Sequence, residues 1–389
     1  MINIICASYF DPLGHHLFAN KIASNISDTH ETSRRVKIYG VNIEVNKKNS
    51  NTEIDIVSIH IPFLGRFFNL DTRNILIKKF GIIGKIIFFA VRFLVCLIFY
   101  VKLYRQLSNN DMVVDLEFEP IQSAFASIFC NIPHKHVMVL HSFPKTYGRD
   151  LKSLYKLFTR SLLKYQLKKS SNNRLALMHT RAIAHAISQG FSEKQLVLAG
   201  WGFDLKNSNS KKKLKPMSAP VKILSFGVLR NDKRIAQLVR LFLELENRRL
   251  ELNVIGKSFD VDVASLISEI HNFNSQTKVT INDRYIQEFE IATLFKDCDV
   301  VVISHNSSFD SASGPLAFAF EFKRPVLCFS SNFVAELVTI SNFGVVVDMD
   351  SITKEELVRK ILQLPNIKYD LDKIKHYEWC EIAKRLVSI

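Results

Sequence analysis

The sequence predicts an α/β protein made of two doubly wound domains that face each other across a central cleft. Three observations predict it. Short apolar strands alternate with helical segments along most of the 389 residues, and alternation of this kind favours parallel sheets covered by helices on both faces. The length exceeds one ordinary core, at a prior of roughly 150 residues per domain. A non-periodic stretch, KNSNSKKKLKPMSAP at 206–220, interrupts the alternation with the Lys, Ser, Asn and Pro content of a solvated linker. The expected domains are therefore residues 1–206 and 221–389, with 207–220 between them.

In the first domain INIICASYF opens as a buried strand, and DPLGHHLFANKIASNI follows as a turn and a helix. Further strands are expected at RRVKIYGV, IDIVSIHI, DMVVDLEF, KHVMVLHSF, RLALMH and KQLVLAG, with helices at 150–169 and 181–189. Residues 82–101, IIGKIIFFAVRFLVCLIFYV, are the most apolar part of the chain. A membrane span needs about 20 such residues, but Lys85 and Arg92 interrupt this one, and an arginine near the middle costs roughly 2.5–3.5 kcal/mol. Lys78, Lys85 and Arg92 recur every seven residues, so they share one face of a helix extending over about 78–106. Two readings stand: a basic amphipathic helix lying in an anionic interface, or a buried helix whose long cations reach the surface.

The second domain restarts the alternation. VKILSFGVL, LELNVIGK, KVTINDRYI, DVVVISH, RPVLCF and FGVVVDM read as strands, and RIAQLVRLFLELE, DVASLISEIHNF, EIATLFKDC, GPLAFAFEF, NFVAELVTI and TKEELVRKIL as the helices between and after them. In open α/β sheets ligands sit at the carboxyl ends of the strands, so the loops that follow strands are where chemistry is sought.

Composition narrows the partners. With 47% hydrophobic and 23% charged residues the chain is a folded protein. A net charge of +15 draws it to polyanions: nucleic acid, an anionic membrane surface or phosphorylated substrates. The cations are spread along the chain without an aromatic-interleaved patch, which argues against nucleic acid. Cys6, Cys96, Cys130, Cys298, Cys328 and Cys380 lie far apart with no Cys-x-x-Cys pair, and read as free thiols in a reducing compartment rather than metal ligands. The N-terminus lacks the basic leader of a signal peptide, so a cytoplasmic location is expected.

Two loops carry candidate chemistry. FGVLRNDKRI follows a strand and sets Gly227, Arg230 and Lys233 ahead of a helix; amides at a helix start with two cations three residues apart suit a diphosphate. DSASGPLAF follows DVVVISH in the same way. Ser313 and Gly314 are small enough for a ligand to reach the backbone, Pro315 suits a first helical turn, and the helix dipole favours an anion. Ordinary N-capping by serine accounts for the same residues.

Taken in order, these segments resemble the donor-binding half of a GT-B glycosyltransferase of the family-four type, the glycosyl transferases of group 1. The residues that carry the resemblance are Phe226, Gly227, Arg230 and Lys233, a strand ending in Gly256 and Lys257, the segment RYIQEFEIATLFKDCDVVV before a Ser-Gly helix and a Pro-Val strand, and YEWCEIAKRL with Trp379. Residues 221–389 carry it well and 1–206 in outline. It implies two Rossmann-like domains, with Arg230 and Lys233 on the diphosphate of a UDP- or GDP-linked sugar and Ser313 and Gly314 adding backbone contacts. The loop around Arg284, Tyr285 and Ile286 would lie near the base. In the first domain it implies donor and acceptor contacts from Gly14 and His15 and a donor-sugar contact from His141. Glu117 and Glu119, at alternate positions, point the same way, and Glu119 would act as a base on the acceptor hydroxyl.

The chain also departs from the family pattern. The Glu-x7-Glu positions hold Asp310 and Phe318, and an apolar side chain cannot hydrogen-bond a ribose; Lys323 replaces the usual Gly. The expected protein is a hexosyltransferase peripheral on the inner face of the plasma membrane. It would move a sugar from a nucleotide donor to a lipid-linked or polysaccharide acceptor in surface glycan synthesis. Retention of configuration is expected, with no metal and no cofactor besides the nucleotide-sugar. The alternative is a non-catalytic GT-B relative that binds a glycan or a partner.

Overall fold

The computed structural model describes residues 1–7, 16–29, 35–42, 54–61, 70–131, 133, 135–141, 143, 151–205, 219–306, 313–329 and 332–388. They divide into two compact units: residues 1–200 with 379–389, and residues 201–378. The sequence reading put the first boundary at 206 and kept the C-terminal segment with the second domain. Segment 207–220 falls almost wholly outside the described residues.

Unit 1 is a seven-stranded parallel sheet, with strands β1 (Ile2–Ile5), β2 (Val36–Asn42), β3 (Ile54–His60), β4 (Met112–Asp115), β5 (Lys135–Leu140), β6 (Arg174–Leu177) and β7 (Leu196–Leu198) in the order β3-β2-β1-β4-β5-β6-β7. Its helices are α1 (His16–Thr29), α2 (Leu70–Tyr104), α3 (Pro120–Phe129), α4 (Leu151–Lys168) and α5 (Thr180–Ser188). Strands β1 and β4 are buried at every position, as the near-continuous apolar runs of a doubly covered sheet require.

Unit 2 is a six-stranded parallel sheet: β8 (Val221–Phe226), β9 (Leu250–Ile255), β10 (Lys278–Asn282), β11 (Val300–Ile303), β12 (Val326–Cys328) and β13 (Gly344–Val346), ordered β10-β9-β8-β11-β12-β13. The helices are α6 (Ile235–Glu244), α7 (Val263–Asn272), α8 (Glu288–Asp297), α9 (Gly314–Glu321), α10 (Phe333–Ile340) and α11 (Lys354–Gln363). One core joins Ile223, Val254, Val300 and Leu327 of the strands to Leu238, Phe242 and Leu357 of the helices. Strand order reverses between β8 and β11, and the crevice at such a switch point is where open α/β sheets bind ligands.

The last helix, α12 (Trp379–Val387), belongs to unit 1. Trp379 packs edge-on against Phe18 of α1, centroids 5.4 Å apart, and Arg385 Nε donates to the Leu198 carbonyl at 3.0 Å. Periodicity marks α12 as amphipathic but carries no information about which sheet its buried face will meet. All six cysteines are free thiols, four of them buried.

Candidate functional site

The β8 loop and the first turn of α9 come together at the switch point of unit 2; residues 307–312, which include the start of the second loop, lie outside the described residues. Strand β8 ends at Phe226, and Gly227 takes φ +100°, a region that glycine enters without a Cβ penalty. A Cβ on Gly227 would lie 3.1 Å from Lys233 Nζ and 3.8 Å from Pro315 Cγ. The ammonium of the first loop and the first turn of α9 are therefore neighbours across Gly227. Gly256, at the end of β9, is just as constrained, since a Cβ there would collide with the Gly227 carbonyl.

The β8 loop is held from several sides. Asn231 N donates to Asp260 Oδ1 at 2.8 Å and its side-chain amide to the Asp260 carbonyl at 3.0 Å. From the β11 side, Ser304 Oγ donates to the Lys233 carbonyl and Asn306 N to the Asp232 carbonyl at 2.8 Å. Arg230 forks onto Asp232 through Nε (3.1 Å) and Nη2 (2.9 Å); its Nη1 makes no hydrogen bond among the described residues.

Burial pushes the Lys233 ammonium down to about 8; Arg230 adds to the shift and Asp232 opposes it. His305, just past β11, is pushed down to about 3 by burial and then by Lys233 and Arg230, so its ring adds no positive charge at neutral pH. The sequence reading missed His305 as part of this cluster. Its only signal there was a place at a strand end, and the cations beside it come from some 70 positions earlier in the chain.

Ser313 is the N-cap of α9, its hydroxyl accepting from Leu316 N at 3.4 Å, so its side chain is used by the helix. Gly314 lies where a Cβ would touch the Trp201 indole at 3.8 Å. A mostly apolar hollow lined by Trp201, Leu316, Phe320, Val334, Leu337 and Tyr377 also reaches Ser313. Phe318 packs on Phe295 (5.5 Å) and edge-on against Phe226 (6.0 Å), with Phe322 stacked on Phe295 at 5.7 Å. The surface of α9 one helical turn beyond Gly314 is therefore aromatic. Lys257 lies 3.6 Å from Asp283 and is half exposed. Tyr285 is partly buried in the turn between β10 and α8, beside an Arg284 held by Glu290 at 2.7 and 3.0 Å. Asp310 lies outside the described residues.

In unit 1, His141 Nε2 lies 2.8 Å from the Leu116 carbonyl, and because a carbonyl only accepts, that nitrogen carries the proton. Glu117 and Glu119 sit beyond β4, which ends at Asp115, so the alternate-strand pairing expected of them does not form. Glu119 precedes α3, and its carboxyl is raised chiefly by burial, with Arg92 opposing and Glu117 adding least. The carboxylate missed by the sequence reading is Asp115. Fully buried, it is pushed up to about 8 by desolvation while accepting from Tyr100 Oη at 2.7 Å and Glu117 N at 3.2 Å. His136 lies 3.9 Å away, but burial holds it at about 3, so the contact is not an ion pair. Gly14 and His15 lie outside the described residues.

Residues 206–378 match the family described as glycosyl transferases group 1. No curated protein matches the sequence. Over the whole chain the fold is similar to solved structures. One is an α,α-trehalose-phosphate synthase (UDP-forming) from Burkholderia xenovorans in complex with glucose-6-phosphate, 12% identical, with a TM-score of 0.66 and coverage of 98% of each chain. Another, from E. coli and described as bound with UDP-2-fluoro glucose, is 11% identical, with a TM-score of 0.65 over 100% of this chain and 95% of that one. A third, the apo form of the lipopolysaccharide outer core galactosyltransferase WaaB, is 11% identical, with a TM-score of 0.61 over 99% and 97%.

Proposed function

We propose, from the match of residues 206–378 to the glycosyl transferases of group 1 and the likeness in fold to solved sugar-transferring enzymes, that the chain transfers a hexose from a UDP- or GDP-linked donor to a lipid-linked or polysaccharide acceptor in surface glycan synthesis. The observation that carries the donor half is the convergence of Lys233 Nζ, Gly227 and the first turn of α9 on one edge of the unit 2 sheet. When the bond from the sugar to the diphosphate breaks, negative charge grows on the leaving phosphate. Cations fixed beforehand in a partly desolvated loop stabilise that charge without reorganising. Lys233 supplies a point charge. Arg230 supplies the Nη1 edge that its fork onto Asp232 leaves over. The amides that open α9 add the helix dipole. In this reading charge neutralisation is done by side chains, and no metal is needed.

Glu119 is the base for the acceptor hydroxyl, its proton affinity raised by burial, and His141 contacts the donor sugar. The acceptor oxygen bonds to the anomeric carbon from the same face that the diphosphate leaves, its proton passing to Glu119, so configuration is retained in this reading; the enzyme works at the cytoplasmic face of a membrane. A thermal-shift screen against UDP, GDP, ADP and CMP tests the donor half. One of the first two should raise the melting temperature, and Arg230→Ala and Lys233→Ala should abolish the rise; a response that survives both changes would remove the diphosphate from this loop. Turnover lost in EDTA and restored by magnesium would overturn the metal-free version. The aromatic packing of Phe318 favours a second reading, a non-catalytic GT-B relative that binds a glycan or partner. Full biological activity in both alanine variants would select it.

A further inference from the structure

One face of unit 1 carries apolar surface that sugar transfer does not account for. Helix α2 has two halves with opposite environments. From Val95 onward it is core: Val95, Cys96, Phe99 and Leu103 are buried in one cluster with Ile5, Tyr39, Ile59 and Val113 of the sheet side. From Lys78 to Leu94 it is apolar and mostly exposed, with Ile82 at 76%, Ile83 at 62%, Ile86 at 63% and Phe89 at 50%, while Phe88 turns inward and is buried. Gly81, at φ 57° and ψ −130°, breaks the helix within this stretch.

The exposed surface does not stop at α2. Right-handed crossovers from β3 to β4, β4 to β5 and β5 to β6 put α2, α3 and α4 on the same side of the sheet, and Phe93 of α2 meets Phe125 of α3 at 6.3 Å. Ile128 and Phe129 of α3 are 71% and 66% exposed, and Leu154, Tyr155 and Phe158 of α4 are each more than half exposed. Helices α2 and α3, and α3 and α4, are packed neighbours, and exposed apolar residues clustered on adjoining helices mark an interaction site.

Charge says what covers it. There is no Asp or Glu between residues 72 and 104, in 120–129 or in 151–168, while Lys78, Lys79 and Lys85 stand exposed among the isoleucines. A second copy would bring like charges together; an anionic interface neutralises them. A span is not available, although Lys78–Tyr104 is long and apolar enough by composition. Its C-terminal half is committed to the sheet, and the seventeen residues before Val95 extend only about 25 Å at 1.5 Å per residue against a hydrocarbon core of about 30 Å. We propose that the exposed face of α2 from residue 78 to 94, together with α3 and α4, docks unit 1 flat on an anionic lipid bilayer. The proposal rests on the membrane-face part of the proposed function and names the surface, three helices rather than a single amphipathic one, that makes the contact; lipid binding is read independently of nucleotide binding, so either can fail without the other.

Flotation of the full-length protein with vesicles tests it, using phosphatidylcholine alone or mixed with phosphatidylglycerol. Binding should need the anionic lipid and fall at high salt. Each of Lys78→Gln, Lys79→Gln and Lys85→Gln should weaken partitioning about fivefold. Phe129→Gln and Phe158→Gln, on the other two helices, should weaken it about tenfold or more at unchanged circular dichroism. Wild-type partitioning in these last two variants would overturn the three-helix surface. Equal binding to both vesicle types, or none, would overturn anionic recognition. Resistance to alkaline carbonate would show a spanning helix instead, and a dimer dissociated by Ile83→Glu would show that a second copy covers the face.

Discussion

Lys233 concentrates the residue-scale chemistry, because its ammonium is held at about 8 where a free lysine titrates near 10.5. The charged form exists below about 8, so UDP affinity should fall as pH rises from 7 to 9. Lys233→Arg, whose guanidinium does not titrate there, should flatten that profile in calorimetric titrations. Stability runs the other way. Between about 8 and 10.5 the unfolded chain holds a proton that the folded chain has lost, so stability rises with pH across that window, and below it the buried charge costs on the order of 1–3 kcal/mol. Lys233→Met should therefore raise the melting temperature while removing UDP binding; a lowered melting temperature would contradict the burial account. The spacing of Arg230 and Lys233 was readable in the sequence because a loop of eight residues holds both. His305 and Asp115 were not, since their proton affinities come from burial and from neighbours distant in the chain.

At the scale of elements, hydrophobic period located nearly every strand and helix, because side-chain alternation and the 3.6-residue turn are local properties. What period could not assign was the partner of a buried face. Helix α12 is the example: it follows the second domain in sequence and packs on α1 of the first. Trp379 is almost fully buried, and Trp379→Ala should cost about 3–5 kcal/mol. Hydrogen exchange should quicken in α1 and β7 and stay unchanged in α6 and α7; the reverse pattern would return α12 to unit 2. Helix α2 shows the same gap. Its two readings were an interfacial helix and a buried one; the half from Val95 onward is buried and the half before it largely exposed, and composition alone could not say where one half gives way to the other.

For the whole molecule, each unit has its own sheet and core, so ligand protection should respect the division. Saturating UDP should slow exchange at residues 227–234 and 313–316 and leave β1, β2 and the buried half of α2 unchanged. Protection confined to unit 1 would place the donor elsewhere. Fold class, the doubly wound order of elements, the cation-bearing loop after β8 and the Ser-Gly start of α9 could all be read from residues in a row, because strand period, turn chemistry and loop composition act over a few positions. Other features needed the chain to be folded: the approach of Lys233 and Pro315 to Gly227, the aromatic packing around Phe318, the return of α12 and the exposed apolar residues of α2 to α4. Each depends on which distant surfaces exclude water together, and burial is a property of the packed whole that no short window contains.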